Sequence, residues 1–260
     1  MTQNSVTSDN EALYEGQNIY PGIDEHTVSK KVGETLGLNF GRFSSVGTDD
    51  ELYQLRSNLT TLTLGGALAS SDVLSGNLIV NGTTVAYTET YATSSAATVA
   101  ALAAELAAVD GIASAVVSGS DLIITLTADP ETDIHFSTGS AVGGNAPSVT
   151  LANDTNHSNF GVTEHAQVEQ NSDGAALYED DVMASVKREG YIVVRADEAM
   201  TPGDPVYVIF YDDSSAADKR AGMVRKTDGV ASNKTLAKLD SNVEVYKACS
   251  AGAPCVLRVK

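Results

Sequence analysis

No lysine or arginine occurs between Arg56 and Lys187, and residues 57–186 carry fifteen acidic side chains. The flanks, 1–56 and 187–260, hold nineteen acidic and sixteen basic residues, so the interior run supplies nearly all of the formal charge of −18. Such a break divides the chain into two characters: a near-neutral host split in two, and an acidic piece rich in Ala, Thr and Ser set inside it. Trp is absent and only five Phe are present, so small side chains must fill much of the core. At 260 residues the chain is long enough for one large domain or two medium ones and can bury a sufficient core without disulfides or metals.

The charge excludes partners. A sequence pI near 4.4 opposes nucleic acid, because phosphate neutralisation dominates that affinity, and it opposes an anionic membrane surface. No apolar run approaches the ~20 residues of a spanning helix. The first residues, MTQNSVTSDNEALYEGQ, lack the basic start and apolar centre of a signal peptide, so synthesis and assembly in a cytoplasm are expected. Cys249 and Cys255 flank Ser-Ala-Gly-Ala-Pro. A disulfide-closed hairpin fits that spacing. Two reduced thiols fit a cytoplasmic protein better, and no zinc pattern is present.

Along the chain, residues 1–27 read as an extended arm broken by Pro21-Gly22, and 28–57 hold short strands. Residues 58–160 read as an inserted ββαββ unit. Leu78–Tyr87 is a strand, an Asn81-Gly82 turn and a strand, the strongest short hairpin pattern. Ser94 or Ser95 caps a helix whose apolar stripe is Val99, Leu102, Leu106 and Val109, with Gly111 at its C′ position. A second hairpin turns at Ser118–Asp121, a strand follows near Asp133–Ser137, and 138–160 reads as loop. From 161 the chain returns to strands: Tyr191–Arg195, a Thr201-Pro202-Gly203-Asp204 turn, a twice-buried strand over Val206–Tyr211 pairing with Ala221–Arg225, and a closing strand over Cys255–Lys260. The expected fold is mainly β: an antiparallel barrel- or sandwich-like host (28–57 with 161–260) carrying a small α+β insert.

Chemistry is sparse in the sequence. His26, His135, His157 and His165 have no metal spacing and read as solvated residues, and Glu164-His165 point to opposite faces of a strand. Asp49-Asp50-Glu51 and Glu179-Asp180-Asp181 offer oxygen ligands for Ca²⁺ but read as solvated turns. No phosphate loop or nucleophile elbow occurs. No cofactor, metal site or enzymatic activity is expected.

Four pieces of the flanks, in order, resemble the capsid cement (head decoration) proteins of tailed phages. These are Gly16-Gln17 to Pro21-Gly22; Leu38-Asn39-Phe40-Gly41-Arg42-Phe43 with Gly47-Thr48-Asp49-Asp50; Gly190–Val194 through Met200-Thr201-Pro202-Gly203-Asp204-Pro205-Val206-Tyr207-Val208; and Ala248–Lys260. Residues 58–160 depart from that pattern as an insertion, and its hairpin, Ala-rich helix and hairpin resemble a module of phage tail and flagellar structural proteins. The resemblance implies a virion structural protein, homotrimeric, on the outer capsid surface, bridging major capsid subunits. Tyr14, Ile19, Tyr20 and Pro21 of the arm are then interface candidates. Phe40, Arg42 and Phe43 are candidates too, but read first as core and edge of the host sheet. The alternative is a tail, fibre or adhesion module that binds host-cell glycans through the insert; its few aromatics (Tyr87, Tyr91, Phe136, Phe160) would have to supply the stacking surface.

Overall fold

A computed structural model describes residues 13, 15–19, 25–33, 38–47, 49–118, 123–128, 133–144, 146–155, 159–165, 177–210, 221–228 and 237–260. The first host strands are β1 (Asn18–Ile19), β2 (His26–Lys31), β3 (Leu38–Asn39), β4 (Phe43–Val46) and β5 (Leu52–Gln54). A lobe follows: β6 (Leu59–Leu64), β7 (Val73–Val80), β8 (Thr83–Thr90), α1 (Ser95–Ala107), β9 (Ile112–Ser118), β10 (Ile123–Ala128), β11 (Ile134–Val142) and β12 (Val149–Asp154). The chain then returns to the host with β13 (Gly161–Thr163), β14 (Leu177–Tyr178), β15 (Met183–Arg195), β16 (Tyr207–Ile209), β17 (Val224–Arg225), β18 (Ala237–Leu239), β19 (Val243–Lys247) and β20 (Pro254–Val259). The fold is mainly β and sandwich-like, its strand ladders are antiparallel, and no barrel closes among the described residues.

The lobe packs a four-stranded sheet, β12-β6-β10-β9, and a three-stranded sheet, β11-β7-β8, with α1 around its own core. Leu62, Leu64, Leu74, Leu78, Tyr87 and Phe136 meet Val99, Leu102 and Leu106 of the helix there. The Asn-Gly hairpin forms as the sequence predicts: Val80 pairs with Thr83, and Asn81 and Gly82 take positive φ of 48° and 74°. Ser94 caps α1, its hydroxyl accepting from the Ala97 N–H at 3.1 Å. The helix ends earlier than Gly111 suggests. Ala108 is the C-cap, and Gly111 (φ 88°) instead serves the turn into β9.

Two further corrections concern the lobe. The ββαββ pattern is too short, since β6 pairs with both β10 and β12 and so builds the centre of one sheet. Residues 138–160 are not one loop either, because β11 runs through Gly139 and β12 occupies 149–154. The glycine there reads as a breaker but leaves room for a ring. A Cβ on Gly139 would lie 3.0 Å from the Tyr87 hydroxyl, and one on Gly76 of the paired strand 2.4 Å from it. Glycine in a strand marks such a close approach.

In the host, β15 is the spine. One side of it carries β2 and then β1; the other carries β13 and then β20. The inward residues Ile192, Val194, Val245, Cys255 and Leu257 form one core with Phe43, Val162 and Val208. The expected strand over Val206–Tyr211 shortens to β16, although Val206, Val208, Ile209 and Phe210 are all buried. It pairs with β17 as expected, and the Thr201–Asp204 turn forms with Gly203 at φ 96°. The closing strand lies between β15 and β19, so the C-terminus is tied into the sheet.

Candidate functional site

The arm lies along the edge of β15. Gly16 donates to Val193 O at 2.8 Å, Asn18 and Ile19 pair with Ile192 and Tyr191, and the His165 N–H reaches Gly16 O at 2.7 Å. Glu15 faces Arg42 at 3.4 Å and Arg195 at 4.0 Å. The described part of the arm therefore packs on its own domain.

Farther along β15, Lys187 is fully buried between β2 and β13. Its partners come one from each flank. Glu25 immediately precedes β2 and pairs with the ammonium; Glu164 immediately follows β13 and pairs at 2.9 Å. Glu164 also accepts from Ser185 Oγ at 2.5 Å. A buried charge persists only with partners in place, so this triad fixes where the arm joins the sheet.

Where β15, β19 and β20 turn outward, aromatic and basic side chains gather. Tyr191 and Tyr246 meet edge to face at 4.7 Å, and the Arg258 guanidinium sits 5.9 Å from the Tyr191 ring centre. Tyr246 is 46% exposed, one of few large apolar residues left open to solvent. Glu244 bridges Arg258 at 3.4 Å and Lys260 at 2.6 Å. Tyr and Arg are the residue types that dominate binding hot spots. The Lys260 hydrogen bond, foremost, holds the Glu244 carboxyl below its ordinary value of 4.5 against the opposing cost of desolvation, with the Lys260 charge and then Arg258 adding to the lowering. We therefore expect the Glu244 carboxyl, followed by NMR, to titrate below 4.5. A group with a lowered folded pKa contributes above its unfolded value and loses that contribution as pH falls through the folded one, so these bridges should survive until the pH drops under the ordinary carboxylate range. A midpoint at or above 4.5 would show that the bridges do not form in solution.

Of the candidate contact residues, Ile19 lies half-buried beside Tyr191, while Phe40, Arg42 and Phe43 are buried. Phe40 packs on His165 and Tyr178, and Phe43 enters the host core. Tyr14, Tyr20 and Pro21 lie outside the described residues. Sequence reasoning treated Tyr191 only as a strand residue and passed over Tyr246, Arg258 and Lys187. The alternation Glu244-Val245-Tyr246 is the signal that could have found the face.

The other candidates resolve locally. The Lys31 ammonium stands between the two acidic turns, 2.5 Å from Glu51 and 2.6 Å from Asp181, and Lys30 takes Asp50 at 2.5 Å. The hydrogen bonds that Lys31 donates to Asp181 and then to Glu51 raise its pKa. Among the described residues no three His, Cys, Asp or Glu side chains come together as a metal site. Glu164 and His165 part company, the first turning to Lys187 and the second to the Phe40 ring. Of the four aromatics available for sugar stacking, Tyr87 and Phe136 are core residues, and Phe160 is covered by Arg188 at 4.8 Å and Lys30 at 5.6 Å.

A family model described as "Structural cement protein (E217 gp24/Pam3 gp6)" matches residues 69–260. The matched stretch takes in most of the lobe together with the C-terminal host strands. It leaves out the N-terminal residues that carried part of the sequence resemblance. A search of curated proteins finds no match.

Proposed function

The chain belongs to the structural cement proteins of bacteriophage capsids, and on that premise we propose that it binds the outer surface of the head as a homotrimer and bridges neighbouring major capsid subunits. The family's role is structural, so the relevant quantity is contact area, not turnover. Stable contacts bury ~1,200–2,000 Å², and repetition over a closed shell multiplies modest contacts through avidity.

The observation that carries the reading is a separation of surface chemistry. The lobe, 59–154, holds nine acidic residues and no basic one, whereas the aromatic and cationic side chains Tyr191, Tyr246, Arg258 and Lys260 share one face of the host sheet, with Tyr246 and Lys260 exposed and Tyr191 and Arg258 half-buried. We place that face against the shell, with Ile19 at its margin and Phe40, Arg42 and Phe43 holding the sheet beneath it. The acidic lobe then projects outward as an inserted unit, where negative charge keeps particles apart. Assembly in the host cytoplasm, without nucleic acid or membrane contact, fits the same charge.

Heads lacking the protein provide the test. Tyr246→Ala and Arg258→Ala should each weaken binding to such heads by about thirtyfold per site, the ~2 kcal/mol of a hot-spot side chain, while leaving thermal stability nearly unchanged. Binding at wild-type strength by both variants would move the contact elsewhere. A wild-type protein that stays monomeric and ignores the heads would remove the reading altogether.

A further inference from the structure

One strand of the lobe is left open along its outer side. β9 is outermost in the sheet β12-β6-β10-β9 and, among the described residues, pairs with β10 alone. An outermost strand presents a row of unpaired N–H and C=O groups, and natural edges are blunted by charge, shortness or cover. The other outer strands of the described residues follow that rule. β2 carries Lys30 and Lys31, β19 carries Glu244 and Lys247, β8 carries Glu89 and β12 ends on Asp154. β17 and β18 carry Arg225 and Lys238, while β1, β3 and β14 are two residues each. β5 is three residues long and buried, and β11 is tied to the neighbouring sheet at Phe136. β9 is seven residues, Ile-Ala-Ser-Ala-Val-Val-Ser, without a charge or a proline. Ile112 and Ala115 pack on the lobe core, but Val116 and Val117 are 53% and 38% exposed. Successive strand residues point to opposite faces, so neither face is covered at that end.

We propose that β9 is a docking edge for an extended basic segment of a partner protein, which adds to the sheet as a fifth strand. Main-chain hydrogen bonds to the outer groups of β9 supply the attachment, and Val116 and Val117 pack against side chains on the two faces of the incoming strand. Charge selects the partner. The lobe holds nine carboxylates and no basic residue. Asp110, just before β9, and Glu105 on α1 are both exposed. A strand bearing Lys or Arg relieves that repulsion as it docks, and an acidic strand adds to it. A second copy of the lobe brings nine more carboxylates, so self-pairing along β9 works against the field. The site lies apart from the host face placed against the shell and does not depend on that contact.

Purified full-length protein and a synthetic peptide of about ten residues alternating Val and Lys test this without heads. Amide exchange should slow in β9 when the peptide is added, while β8 keeps its own rate, and high salt should weaken the effect. A peptide with Pro in place of each Val keeps the charge but cannot join a ladder, and it should leave β9 unprotected. A Val-Glu peptide should not bind. Val116→Lys sets a cation against the incoming cations and should weaken the Val-Lys peptide about fivefold, whereas Val116→Thr should stay within about twofold of wild type. Both variants should melt as the wild type does, because the position is exposed. Protection of β9 by the Pro-Lys or Val-Glu peptide equal to that by Val-Lys would overturn the proposal. So would peptide binding that leaves β9 exchange unchanged, or full-strength binding by Val116→Lys. Slowing of β9 with protein concentration alone would give the edge to a second copy and overturn it too.

Discussion

Lys187→Ala should destabilise the protein by about 3–5 kcal/mol, the usual cost of breaking a buried ion pair by removing one partner, and lower the melting temperature by about 10 °C. The reason lies in what remains. Glu164 keeps its place at the end of β13 with its side chain only 12% exposed, and without the ammonium it holds an uncompensated charge. Glu25 is 23% exposed and can turn to water, which detaches the start of β2 and the arm before it. The loss should barely depend on salt, because buried pairs are weakly screened. A double variant, Lys187→Met with Glu164→Gln, removes both charges and should recover most of the stability. A single variant within 1 kcal/mol of wild type would mean that the triad does not form in solution.

Phe136→Ala should cost about 3–5 kcal/mol as well, through lost burial and the cavity left behind. Its ring is fully buried and meets Tyr87 edge to face at 5.8 Å. Its main-chain N–H donates to Thr60 Oγ1 and Asn153 Oδ1, both at 3.1 Å, so β11 is tied at this residue to β6 and β12 of the neighbouring sheet. If the lobe is a separate inserted unit, the damage stays within it. Amide exchange should then quicken in β7, β8 and α1 while β15 and β20 keep their protection. Equal loss in both parts would show one cooperative domain, and the proposed division would fall.

How much of this was legible in the sequence depended on whether a feature is local. The Asn81-Gly82 hairpin, the Ser94 cap, the Val99–Leu102–Leu106 stripe and the closing strand are written in neighbouring residues and form as read. The first half of β11 was read as a strand, but its second half escaped because Gly139 pointed to a loop, and the purpose of that glycine, room for the Tyr87 hydroxyl, depends on a residue far along the chain. Lys187 escaped for a like reason. A lysine is expected in solvent, and only the register of β2 and β13 against β15 brings Glu25 and Glu164 to it. The Tyr191–Tyr246–Arg258 face joins β15 to β19 and β20, which the whole β16–β18 sheet separates from it in the chain. The charge break marks the acidic lobe but overshoots it, since residues 155–186 share the absence of cations yet include β13 and β14 of the host.

The central claim, that the host sheet grips the capsid and the acidic lobe faces outward, is tested most directly by a particle map of heads with and without this protein. We expect added density on the outer surface at junctions between major capsid subunits, with β19, β20 and the end of β15 against the shell and the lobe of β6–β12 and α1 farthest from it. Density in which the lobe makes the shell contact, or heads that gain no outer density at all, would contradict it.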